Sequence, residues 1–240
     1  MRYLAIVSYD GTNYQGFQSQ KNGLGIQEVI EKAFRLMTQT EIKIHSAGRT
    51  DKGVHAIGQA FHFDSDLEID EDTWIRAVND RLPLDIRVKK MKKVKPDFHA
   101  RHSSKSKIYK YVLAKKPSTA FTKNYEVYIR HMNIEPMKEA LPFFLGTHDF
   151  KGFSQHVEGK TTEKTIYKAE FKETKKHYIF TFHGTSFLKY MVRSMMGTLI
   201  AIGLGKSKPS VIQEILENKD RSLAGKTAEA RGLFLVRIYY

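Results

Sequence analysis

The chain has 240 residues, 41% of them hydrophobic and 12% aromatic, enough for one large domain or two small ones around a buried core, and this excludes a disordered polymer. It contains no cysteine, which excludes disulfides, thiolate catalysis and Cys-ligated zinc. Forty Lys and Arg against 26 Asp and Glu give a net charge of +14, and so strong a positive balance points to an acidic partner, of which nucleic acid is the commonest.

No apolar run approaches the roughly 20 residues of a membrane span. Met1 leads directly into a strand-like segment with no signal-like stretch, so a cytoplasmic protein without membrane association is expected.

Taken in chain order, Tyr3 to Tyr9 reads as a strand ended by the turn Asp10-Gly11. Ile26, Val29, Ile30, Ala33, Phe34 and Met37 recur at helical spacing. Ile42 to Ile44 and Gln59 to Phe63 are strand-like and flank a glycine-punctuated loop. Asp70 reads as the N-cap of a helix through Trp74, Ala77 and Val78 that stops near Pro83. Ile86 to Lys93 and Ile108 to Ala114 are further strands.

The second half repeats this grammar. Glu126 to His131 reads as a strand and Met137 to Leu145 as a helix, with Pro136 in its first turn and Pro142 disturbing it. Ile166 to Phe171, Tyr178 to Phe182 and Leu233 to Tyr240 are strand-like. Phe187 to Ile202 reads as a long helix and Pro209 to Leu216 as a short one. The class is α+β with a largely antiparallel sheet. Gly11-Thr12 through Gly16-Phe17 resembles Gly146-Thr147 through Gly152-Phe153 with one residue inserted, as two related halves would. The division expected is 1–104 and 105–240, with no linker between them.

The positive charge is concentrated. Between Asp85 and Pro117 stand twelve Lys and Arg against Asp85 and Asp97, a local balance of +10. The apolar residues there (Ile86, Val88, Val94, Ile108, Val112) follow strands and connections rather than a membrane-binding helix, so a phosphate backbone is the better partner.

Several candidate motifs fail. Gly203-Leu204-Gly205-Lys206-Ser207 resembles the end of a phosphate-binding loop, but position 200 is isoleucine and the stretch follows a helix; it reads as a helix exit. The ten histidines include no HExxH motif, and His62, His99 and His102 read as structural or partner-facing. The run Asp64, Asp66, Glu68, Asp70, Glu71 and Asp72 lacks the glycine of a calcium loop and reads as a strand exit feeding a helix N-terminus. No metal is expected.

The informative segment is Ser46 to Ala56, where glycines bracket Arg49 and Asp51. A carboxylate between Arg49 and Lys52 stays ionised, and a positioned, ionised carboxylate can act as a nucleophile. On residue chemistry alone an Asp capping a turn fits equally well.

The string Gly48-Arg49-Thr50-Asp51-Lys52-Gly53-Val54-His55-Ala56 closely resembles the active-site signature of the TruA family of tRNA pseudouridine synthases. Tyr9-Asp10-Gly11-Thr12, Phe98-His99-Ala100-Arg101, Lys107 to Tyr111 and Gly146 to Phe150 resemble further family motifs in the same order. So do Phe187-Leu188 with Met191-Val192-Arg193, and the tail from Ala224 to Leu233. Lys164 stands where family members often carry arginine, and Glu229 where they often carry proline.

The resemblance implies two related ferredoxin-like α+β halves sharing a largely antiparallel sheet around a basic central cleft. It implies isomerisation of uridine to pseudouridine at positions 38 to 40 of the tRNA anticodon arm by a homodimer. No cofactor is expected, because the reaction involves no redox step. Asp51 would be the catalytic carboxylate, and Arg49 would fill the space the flipped base vacates. Tyr109 would pack on the flipped uracil, and Arg193 would pair with Asp51. Helical periodicity by itself puts Arg193 about 140° from the apolar stripe of its helix, toward solvent, and Tyr111 reads as core. The competing readings are a non-catalytic RNA-binding or RNA-chaperone protein on the same fold and, more remotely, a metal-dependent nuclease.

Overall fold

The computed structural model describes residues 1–18, 23–155 and 161–240. It is a mixed α+β chain whose strands pair mostly antiparallel, and it divides into two compact units. One is Met1–Lys105 together with Phe234–Tyr240; the other is Ser106–Leu233. Among the described residues no helix is long and apolar enough to cross a membrane.

In the first unit β1 (Arg2–Tyr9) pairs antiparallel with β3 (His55–Asp64) on one side and with β4 (Ile86–Val94) on the other. β2 (His45–Ser46) pairs antiparallel with β3, and β10 (Leu233–Tyr239) joins β3 in parallel through Phe234 and Leu235. Two helices, α1 (Ile26–Thr38) and α2 (Glu71–Asn79), bury Ile26, Ile30, Ala33, Phe34, Trp74 and Val78 at helical spacing. The rings of Tyr3, Phe34, Phe63 and Trp74 meet at centroid distances of 4.6 to 5.8 Å, and all four side chains are fully buried. Asp70 caps α2 by accepting from the Thr73 amide at 2.8 Å, while Glu71 and Asp72 occupy its first turn. Asp64 takes two hydrogen bonds from Arg2, at 2.8 and 2.7 Å. The outer strand β4 exposes Lys89, Lys90, Lys92 and Lys93, charges that discourage pairing with another chain.

In the second unit β5 (Ser106–Ala114), β9 (His177–Gly184), β8 (Glu163–Glu173) and β7 (Gly146–Asp149) pair antiparallel in that order. β6 (Val127–Tyr128) lies parallel to β5. The helices are α3 (Glu135–Ala140), α4 (Met191–Gly203) and α5 (Val211–Asn218). Phe144, Phe150, Phe153, Phe180 and Phe182 are fully buried, and Phe144 meets Phe153 and Phe182 edge-on at 5.4 and 6.0 Å.

Five elements differ from the reading of the sequence. Ile42 to Ile44 is irregular, and pairing begins only at His45. The expected strand Glu126 to His131 shortens to Val127–Tyr128, and His131 stands at φ +58°, outside extended backbone. The helix expected over Met137 to Leu145 is α-helical only to Ala140; Leu141–Phe144 tightens into a 3-10 turn at Pro142, which has no N–H to donate. The helix expected from Phe187 starts at Met191, because Tyr190 takes φ +63°. The two Gly-Thr stretches also fold differently. The first is a turn-rich loop and the second is β7 followed by a 3-10 turn, so their likeness does not extend to conformation. The exit of α4 agrees with its reading: Gly205 at φ +71° donates to Ile202 O at 2.9 Å and Lys206 to Ala201 O at 2.9 Å, the pattern that ends a helix on a left-handed glycine.

A row of histidines crosses the first unit. His45 and His62 stack at 4.9 Å, His62 meets His99 at 4.6 Å, and His99 meets His102 at 4.3 Å. His62 Nδ1 accepts from the Ala100 amide at 3.1 Å. Burial, reinforced by His99, Arg2 and His45 and opposed only by Asp64, lowers the His62 pKa to about 4; burial lowers that of His99 as well. A histidine whose native pKa lies below its unfolded value takes its proton more readily when unfolded. Its contribution is therefore present above pH ~6.5 and is lost as the pH falls toward ~4. The urea midpoint is expected to drop between pH 7 and pH 5, and His62→Asn, which keeps an acceptor for Ala100, should flatten that drop. An equally steep drop in the variant would contradict this assignment.

Candidate active site

The segment Gly48 to Val54 enters β3 without regular secondary structure of its own. A buried scaffold holds it. The Tyr9 hydroxyl and Thr50 Oγ1 share a buried hydrogen bond of 2.8 Å. Burial pushes the Tyr9 phenol above the ordinary tyrosine range, so it stays neutral and can both donate and accept. Gln59, fully buried on β3, donates from Nε2 to Gly48 O at 2.8 Å and accepts from the Ala60 amide at 3.0 Å. The Ala47 amide donates to Ala60 O at 2.8 Å, and the Phe17 amide donates to Thr50 O at 3.2 Å.

Gly16 makes that last approach feasible. It stands at φ +102°, and a Cβ there would lie 2.5 Å from Thr50 O. At the far end of the segment Val54 donates to Asp51 O at 3.1 Å, closing a turn over Gly53 at φ +75°. Buried His55 then stacks on Phe234 at 4.7 Å and holds its Nδ1 3.1 Å from both the Gly11 amide and Asp10 Oδ1.

Within this frame Arg49 is exposed and Asp51 half-buried. The backbone on both sides of Asp51 is held by hydrogen bonds while the residue keeps partial exposure. A nucleophilic carboxylate needs both conditions: a defined direction and access to a ligand.

In the second unit Lys107, Tyr109, Tyr111 and Leu113 alternate on one buried face of β5. Tyr109 sits edge-on to Phe187 at 5.0 Å and 77°. Tyr111 is fully buried and donates from its hydroxyl to Glu229 O at 2.8 Å, the core position expected of it.

Arg193 is not turned to solvent as the apolar stripe suggests. Ten of the thirteen residues of α4 are buried, so the helix is covered nearly all round and its periodicity loses directional meaning. Half-buried Arg193 donates from Nε to Ala228 O at 2.8 Å, receives the Ala228 amide on its own carbonyl at 3.0 Å, and lies 5.2 Å from the Tyr190 ring. The tail that carries Ala228 lies directly on α4: a Cβ at Gly197 would stand 1.9 Å from Lys226 O, and the Gly225 amide donates to Thr198 Oγ1 at 3.0 Å. Arg193 is thus oriented by the tail motif rather than by its own helix.

Arg49 and Asp51 therefore stand together on one loop of the first unit, and Tyr109 and Arg193 on separate elements of the second. Reading the sequence gives Tyr9 a place in a motif and Gln59 a place in a strand, without a role for either. Their signal was a polar side chain at an inward position of a strand, where burial requires a partner. Both departures from the family pattern have local explanations. Lys164 Nζ donates to Thr161 O and Glu163 O, each at 2.8 Å, and burial lowers its pKa. Glu229 stands at φ −58°, an angle proline also adopts, and pairs with Arg231 at 2.7 Å.

Replacing Gln59 by Leu leaves the Gly48 carbonyl and the Ala60 amide without their partner, at a cost of about 1–3 kcal/mol of stability. The loop is expected to loosen. In steady-state kinetics kcat should then fall by more than KM rises, and a change confined to KM would contradict the role assigned to the scaffold.

A family model described as tRNA pseudouridine synthase matches residues 5–103 and 140–240. The tRNA pseudouridine synthase A of Onion yellows phytoplasma (strain OY-M) is 41% identical over 238 residues, 99% of this chain and 98% of that protein. The tRNA pseudouridine synthase A of Exiguobacterium sibiricum is 40% identical over 241 residues, 100% of this chain and 96% of that protein. The one from Oceanobacillus iheyensis is 42% identical over 245 residues, with coverage of 100% and 96%. With the Asp51 loop lying inside a likeness that runs nearly end to end, the chain belongs to the tRNA pseudouridine synthase family.

Proposed function

We propose that this protein isomerises uridine to pseudouridine in the anticodon arm of tRNA, at positions 38 to 40, with Asp51 as the catalytic carboxylate. The observation that carries this reading is the loop itself: a carboxylate on a fixed backbone beside an exposed arginine, in a chain of this family. On this reading the two units are related halves sharing a sheet around a basic cleft, and the enzyme works as a homodimer in the cytoplasm.

The reaction breaks the N1–C1′ bond, turns the uracil and joins C5 to C1′. N1 gains a proton and C5 loses one, so no redox partner or cofactor is consumed. Asp51 acts either by forming an adduct with the nucleotide or by taking a proton from the ribose. The target base must leave its stack, at a cost of a few kcal/mol. Arg49, exposed on the loop, fills the vacated space. Tyr109 offers its ring to the flipped uracil, with Phe187 holding that ring edge-on, and Arg193 supplies the positive charge that keeps Asp51 ionised. Acceptance of neighbouring uridines fits recognition by tRNA shape and phosphate contacts more than by base sequence, and the +14 charge of the chain suits that mode.

Tritium release from C5-labelled uridine in an unmodified tRNA tests the proposal. Wild-type release is expected to survive EDTA and to fall to background in Asp51→Asn. Release that persists in the variant, or salt-dependent tRNA binding by a wild type that releases nothing, would overturn it. For Tyr109, Phe should retain activity, whereas Leu removes a stacking contribution of ~1–3 kcal/mol. The expected loss in kcat/KM is about 5- to 150-fold, and equal activity of the Leu variant would remove Tyr109 from the site.

A further inference from the structure

Antiparallel register gives the sheet of the first unit two distinct ends. Tyr9, Ala56 and Ile86 lie together at one end, beside the Asp51 loop; Arg2, Asp64 and Val94 lie together at the other. At ~3.3 Å per residue, the length of β1 separates the two by roughly 23 Å. At the remote end the surface forms an open concavity of about 690 Å³, lined by Lys92, Lys93, Lys95, Asp97, Phe98 and Ser103.

The floor of this concavity is fixed from behind. The Phe98 ring packs on Tyr240 at 5.0 Å and edge-on to His62 at 6.4 Å. Its carbonyl accepts from Arg2 Nη1 at 2.9 Å, and its amide donates to Lys95 O at 3.0 Å. Ser103 closes the wall: its amide donates to His99 O at 2.8 Å, and its Oγ accepts from the His99 amide at 3.1 Å.

The rim is cationic and available. Lys92, Lys93 and Lys95 are exposed, and among the described residues none of the three enters an ion pair. Asp97 is the one carboxylate in the lining. The adjoining His62 and His99 have lowered pKa values, so at neutral pH the charge of the lining is that of its three lysines set against the single carboxylate of Asp97.

We propose that this concavity is a second RNA site, holding the sugar-phosphate backbone of the bound tRNA at a point remote from the target nucleotide. The inference rests on the tRNA reading above and adds to it a subsite and its ligand chemistry. Three flexible ammonium groups within four residues suit phosphates on a curved backbone, where no bidentate geometry is required. A seryl hydroxyl and a fixed wall complete the receptor. A membrane surface is a poorer match, since apolar side chains contribute only Val94 and Phe98 to the lining. At roughly 23 Å, beyond two Debye lengths in physiological salt, these charges cannot act on the reacting carboxylate through solvent. Their effect must appear in binding and not in chemistry.

The test compares the wild type with K92A/K93A/K95A and with a control, K172A/K175A/K176A. The control removes the same charge from exposed positions on and beside the β8–β9 turn. Each is assayed on a whole unmodified tRNA and on a short stem-loop carrying the same uridine, with thermal melts to confirm folding. On whole tRNA the first variant should raise KM about tenfold or more, with kcat at saturation within twofold. It should also reduce the slope of log affinity against log salt by about 2 to 3. The control should change KM less than twofold, and on the stem-loop all three proteins should agree. A KM and salt slope matching the control's would overturn the site, as would an equal loss on the stem-loop. The salt slope is read from binding alone, so an inactive wild type would refute the isomerase reading while this site is still judged by its slope.

Discussion

One buried hydrogen bond, between the hydroxyls of Tyr9 and Thr50, sits beneath everything proposed for the Asp51 loop. A segment without helix or strand pairing has no intrinsic reason to hold one conformation, and fixing each residue costs about 1–2 kcal/mol of backbone entropy. The fold offsets this by tying the loop to strands on both sides: Tyr9 is the last residue of β1, and Gln59 lies inside β3. These strands are themselves paired in register, so the loop inherits the rigidity of the sheet. Gly16 belongs to the same constraint, because any side chain there would push Thr50 away.

The second unit solves a related problem differently. Arg193 emerges from a helix covered on most of its surface, and its guanidinium is aimed by a carbonyl of the C-terminal tail. The tail in turn depends on small residues, Gly197 on α4 and Gly225 in the tail, that let two backbones approach within contact distance. A substitution at Gly197 would therefore act on Arg193 without touching it.

Much of this was legible in the sequence where a pattern and a physical rule coincide. The Asp70 cap, the α1 stripe and the alternating β5 were readable because hydrophobic period and capping chemistry agree. Helical periodicity alone turns Arg193 to solvent because a stripe presumes a solvent face, and α4 has almost none; the family resemblance turns it inward. The helix expected from Phe187 begins only at Met191 because Tyr190 turns left-handed, which no local residue preference announces. For Tyr9 and Gln59 the sequence signals only that an inward polar side chain needs a partner; the partners stand 41 and 11 positions away, and only the strand pairing brings them together. The loop motif itself was legible because its glycines and charges are contiguous.

The Tyr9–Thr50 bond is expected to position Asp51, the carboxylate proposed as catalytic, and a double-mutant cycle in kcat tests this most directly. Tyr9→Phe and Thr50→Val each remove one hydroxyl with little change of shape. If the two act as one unit, each should lower kcat about tenfold and the double variant no further than the worse single, a coupling of about 1 kcal/mol or more. Losses that add in full, or singles with wild-type kcat, would contradict the account.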